Sequence, residues 1–132
     1  MSVLHVPVSL GEVIDKITIL RLKAHYIRAP EKRANIAREL SLLEEAAAAY
    51  LPQVTELTVA LQTVNARLWQ VEDEIRNHEA RGDFGPEFIA LARAVYYQND
   101  ERAALKRAIN EALGSDLVEE KSYHDYAPSE EA

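Results

Sequence analysis

Residues 86–113, PEFIALARAVYYQNDERAALKRAINEAL, decide the fold of this chain. Pro86 suits a first helical turn, nothing inside the stretch breaks a helix, and Gly114 stands where a helix ends. An apolar stripe runs Phe88, Ala92, Val95 at helical spacing, and continued in phase it meets Asn99, Arg102, Lys106 and Asn110 before returning to Leu113. Amides and charges turned towards a core must be satisfied there, because an unpaired buried polar group costs a few kcal/mol and a charge more. These side chains therefore either pair with one another or line a site for a ligand.

Upstream, Arg81-Gly82-Asp83-Phe84-Gly85 reads as a loop. A further helix is expected from about Gln53 to Arg81, carrying Leu57, Leu61, Val64 and Leu68 on one face and the polar stripe Asn65, Trp69, Glu72, Arg76 along its edge. Pro52 favours a break between this helix and one over 31–50, although the apolar phase runs through it and a single kinked helix is the other reading. The first helix, 10–28, opens on Ser9 and Glu12, the spacing of a capping box. Its main face is Leu10, Val13, Ile14, Ile17, Leu20, Ala24, Ile27, while Ile19, Leu22 and Tyr26 lie opposite, with Asp15 among them. A helix apolar on two sides is packed on two sides, so it should lie centrally, covered by the others or by a second subunit. Before it, Val3–Val8 should be an extended strap across the bundle, since Pro7 demotes it as a central strand.

The fold class is thus all-α, a bundle of three to four long helices with an extended N-terminal strap and an acidic C-terminal tail. One domain over 1–126 is expected, with 127–132 disordered. With no cysteine, thiol chemistry, thiolate metal sites and disulfides are excluded, which suits a reducing cytoplasm. The opening MSVLHVPVSL lacks the basic region of a signal peptide, and no stretch is long enough to span a bilayer. The net charge is −7, but residues 116–132 carry six acids against Lys121 alone, leaving the body nearly balanced at −2. That balance argues against a nucleic-acid partner, which needs a basic face.

As function, Arg102 and Lys106 with Asn99 and Asn110 make an anion-binding face. As structure, the same groups form salt bridges with Asp15, Glu72 or Asp73, and Asp15 should find Arg102 or Lys106. Glu72 and Arg76 can pair at i, i+4, or Arg76 can hold a substrate with Glu72 as acid or base. The ligand-binding candidates are therefore Asp15, Asn65, Arg76, Asn99, Arg102, Lys106 and Asn110, and the catalytic candidate is Glu72. His5, His25, His78 and His124 are scattered, and no Glu-x-x-His or His-Glu-x-x-His occurs, so no metal and no cofactor is expected. Phosphate loops and nucleophile elbows are missing too.

Taken together, VPVSLGEVIDKITILRLK (6–23), VNARLWQVEDEIRNHE (64–79), FIALARAVYYQNDERAALKRAIN (88–110) and GSDLVEEKSY (114–123) resemble a family of short bacterial proteins with no assigned activity. The resemblance implies an all-helical cytosolic protein encoded near surface-polysaccharide and glycosyltransferase genes. It supplies no catalytic residues, but implies that Glu119–Tyr123 belongs to the folded unit. In architecture alone the chain is similar to the all-helical chorismate mutases, which hold a dicarboxylate in a bundle pocket with Arg, Lys, Glu and Gln. Two functions follow as expectations. The first is a non-catalytic helical module, a homodimer with an accessory or protein-interaction role. The second is a metal-independent enzyme or binder holding a carboxylate or phosphate between Arg76, Arg102 and Lys106, with Glu72 as acid or base.

Overall fold

The computed structural model describes residues 2–126, and the expected disordered segment, 127–132, lies outside them. Four α-helices follow one another: α1 (Leu10–Tyr26), α2 (Pro30–Ala47), α3 (Thr55–Arg81) and α4 (Pro86–Leu113). The fold is all-α, with no strand among the described residues. Pro52 breaks the chain rather than kinking one helix. After α2 ends at Ala47 the chain turns, and Leu51–Val54 forms a short 3-10 helix leading into α3. Proline cannot donate to the carbonyl one turn back, so a tighter turn takes the place of continuous helix.

Ser9 caps α1, accepting from the Glu12 backbone N–H at 3.3 Å. At the other end, Arg33 Nη1 donates to the carbonyls of Ala24 (2.6 Å) and Ile27 (2.9 Å), closing the α1–α2 turn. Gly82 and Gly114 end α3 and α4 with φ of +66° and +62°, a left-handed conformation that glycine adopts without strain.

α1 packs against all three other helices. Ile14 joins Val54, Leu61 and Ile109 in the core, while the far side of α1 meets α2, where Lys16–Glu39 and Arg21–Glu44 ion pairs cross the contact. The chain's own helices therefore satisfy both apolar sides of α1, and that feature ceases to be a reason for a second subunit. Residues 2–8 have no regular structure and are exposed, Leu4 most of all.

α3 and α4 make a hairpin of 27 and 28 residues, but α1 has only 17. α1 reaches as far as Trp69, on which Tyr26 stacks at 5.2 Å. Beyond that point α3 and α4 have no third helix. From residue 66 to residue 105 only His78, at the hairpin's tip, is buried.

Candidate functional site

α1 and α4 run antiparallel, so successive turns of α4 meet the first turns of α1 in reverse order. Asp15 faces Arg102, Glu12 faces Lys106 and Gly11 faces Asn110. Three of the four polar residues of the α4 stripe, Arg102, Lys106 and Asn110, are thus laid along the first half of α1.

Asp15 is the centre, with 1% of its surface exposed. Arg102 takes it with a fork: Nε donates to Oδ1 at 2.9 Å and Nη2 donates to Oδ2. Asn65 Nδ2, from α3, donates to the same Oδ1 at 2.9 Å and to Thr18 Oγ1 at 2.9 Å. Three donors on two helices therefore hold one carboxylate of a third. Bidentate, charge-assisted bonds are among the strongest available to side chains, and in a dry interior they fix the register of the helices. The hydrogen bond to Asp15 raises the Arg102 pKa, outweighing the opposite effect of burial.

One turn along, Lys106 Nζ donates to Glu12 at 2.7 Å and to Glu119 at 3.1 Å. Burial on its own would lower the Lys106 pKa, but the two carboxylates outweigh it and the net shift is upward. The same contact with Lys106 lowers the pKa of Glu119. Of the carboxylates expected for Lys106, Asp15 is taken by Arg102, while Glu72 and Asp73 lie on the part of α3 beyond Trp69. Glu12 was legible as a cap residue only, and its carboxylate serves Lys106. Glu119 follows α4 on an irregular segment, where helical phase gives no signal, although the family resemblance placed it in the folded unit.

The Gly11 N–H donates to Asn110 Oδ1 at 2.6 Å, and Leu10 N–H donates to Ser115 Oγ at 3.2 Å. α4 comes so close here that a Cβ on residue 11 would run into the Lys106 carbonyl oxygen and lie 2.9 Å from Asn110 Oδ1. Gly11 is thus a contact point the sequence reading missed, although a glycine inside a helix is a signal for close approach.

The remaining candidates lie apart from this cluster. Glu72 and Arg76 pair with each other at 3.7 Å on the open part of α3, with side chains 45% and 74% exposed. Asn99 turns instead towards a groove that it shares with the outer edge of Arg102. The structure therefore joins Asp15, Asn65 and Arg102, sets Lys106 and Asn110 beside them, and leaves Glu72 and Arg76 elsewhere. Chemically, the cluster is a set of closed ion pairs in which every carboxylate already accepts from a cation. Among the described residues no three His, Asp or Glu side chains are grouped to hold a metal ion, and no helix is long and apolar enough to cross a membrane.

The chain belongs to a family of unknown function, DUF6165, whose profile matches residues 4–130. No curated protein and no solved structure matches it.

Proposed function

We propose that this member of the DUF6165 family is a non-catalytic helical module with an accessory, protein-interaction role in the cytoplasm, beside the surface-polysaccharide enzymes that the sequence resemblance implies. One observation carries this reading: Asp15, Asn65, Arg102, Lys106 and Asn110 each have a partner within the chain. A general acid or base needs a space beside it for a reacting group. Asp15 is closed off by three donors, and the expected acid or base, Glu72, sits on an open surface with Arg76.

Conserving a stable frame leaves the work to surfaces. The hairpin beyond Trp69 carries Leu68, Val71 and Ile75 on α3 and Phe88, Leu91 and Val95 on α4, all half-buried, with Ile89 exposed. A second copy laid antiparallel on this hairpin would complete a four-helix section, and a twofold dimer is the commonest way to do so. We take the homodimer to be the working form.

Two measurements test this. Lys106→Met keeps the packing of the stem but removes the charge. If the cluster is a frame, the free protein should melt lower. A functional site kept at the expense of stability would give an unchanged or raised melting point. Light scattering on the full chain should show a dimer at micromolar concentration that Leu91→Glu converts to monomer. A monomer before substitution removes the dimer.

A further inference from the structure

An open groove of about 800 Å3 lies between α4 and the irregular segment that follows it. Tyr96, Asn99 and Arg102 recur every third residue, so they share one face of α4 and form one wall. The opposite wall is the returning chain, which brings Lys121 and Tyr123 over them.

Arg102 is the group that gives this groove chemistry. Asp15 engages its Nε and Nη2, and its side chain is 29% exposed, so the second terminal nitrogen, Nη1, is left for the groove. A guanidinium already fixed by a buried carboxylate loses little freedom when it meets a second acceptor. Asn99, one turn away, has an amide without a hydrogen-bond partner among the described residues.

The charges select the ligand. Arg102 is already neutralised by Asp15, and Lys121 stands against Asp100 and Asp125, so the groove has no positive surplus, which disfavours a polyphosphate or other multiply charged anion. Asp100 is occupied, since it accepts from the Tyr126 hydroxyl and thereby helps raise that phenol's pKa to about 12. What remains is a surplus of donors suited to one carboxylate, flanked by tyrosine rings suited to the flat face of a ring.

We propose that this groove binds a carboxylate carried on a six-membered ring, with the carboxylate on Arg102 Nη1 and Asn99 Nδ2 and the ring against Tyr96 and Tyr123. Both aromatic acids and sugar acids present that chemistry. The proposal is independent of the non-catalytic reading, because it assigns a ligand and no reaction.

Isothermal titration of the full chain with 4-hydroxybenzoate and with glucuronate tests it, with glucose, phenol, acetate and inorganic phosphate as controls. Saturable binding of at least one of the two acids, tighter than every control, is expected, and which acid binds identifies the source. Asn99→Ala and Tyr123→Ala leave the buried ion pairs untouched, so both should keep the wild-type melting temperature. Each should weaken binding about tenfold or more, the loss expected for a hydrogen bond to a charged group or a stacking face. No saturable binding of either acid, equal binding of a control, or wild-type affinity in either variant overturns the proposal.

Discussion

Asp15 with Arg102 and Glu72 with Arg76 are the same chemistry in two regions of one molecule. Both pairs lie on stripes that helical phase directs inwards. The first is held by a fork of hydrogen bonds around a carboxylate 1% exposed. The second is a 3.7 Å contact between exposed side chains. What separates them is the length of a neighbour. α1 supplies 17 residues against the 27 and 28 of α3 and α4, so a stripe is inward only as far as α1 extends. Phase gives the direction of a side chain, and the length of the packing partner decides whether anything is there.

That contrast is testable by substitution, and the largest effect belongs to Arg102. Arg102→Ala leaves Asp15 buried with Asn65 as its remaining side-chain donor, which should cost about 3–5 kcal/mol in denaturant unfolding. A loss below about 1 kcal/mol would show that Asp15 reaches water. Gly11→Ala comes next. The new methyl meets backbone of α4 rather than a movable side chain, so about 1–3 kcal/mol should be lost, with the midpoint falling and the slope unchanged.

Lys106→Ala should cost less, about 1–2 kcal/mol, because its two partners, Glu12 and Glu119, are each 38% exposed and regain water. Lys106→Met should be milder still, since the stem's packing survives. Retained stability in both would remove Lys106 from the frame.

The same corner sets a pH dependence. The Glu119 pKa is lowered in the folded chain by its bond from Lys106, so this contact contributes above the ordinary glutamate value of 4.5 and is lost as pH falls through the lowered folded value. For Lys106, burial pulls the pKa down, but its carboxylates produce a net rise; its contribution is full below 10.5 and is lost as pH climbs above that. Unfolding free energies measured across both windows should slope at each end, and Glu119→Gln should flatten the acid slope. An unchanged acid slope would detach the C-terminal segment from Lys106. The smallest effect belongs to the open pair: Arg76→Ala should change stability by a few tenths of a kcal/mol. A loss above about 1 kcal/mol would mean that the pair is a packed contact rather than a solvated one.

Much of this was legible in the sequence because it depends on local chemistry. Ser9, Pro52, Pro86 and Gly114 set helix ends, and those signals act within one turn. The inward stripe of α4 and the need of Asp15 for Arg102 or Lys106 followed from period alone. Partner identity at Lys106 did not, because Glu12 and Glu119 come together with it only once α1 is antiparallel to α4 and the chain after α4 folds back. Glu72 and Arg76 are site candidates in the sequence because they border the apolar face of their helix, and no local signal reports that α1 has ended. Likewise the groove beside Asn99 has one wall without regular structure, which periodicity does not describe.

The claim that the inward charges are a frame rests most on Asp15 and Arg102, and a double-mutant cycle measures it directly. Unfolding free energies of the wild type, Asp15→Ala, Arg102→Ala and the double variant give the coupling, free of what each side chain does elsewhere. The account predicts coupling of about 2 kcal/mol or more, against less than about 0.5 kcal/mol for the matching cycle on Glu72 and Arg76. Equal and small couplings at the two places would contradict it.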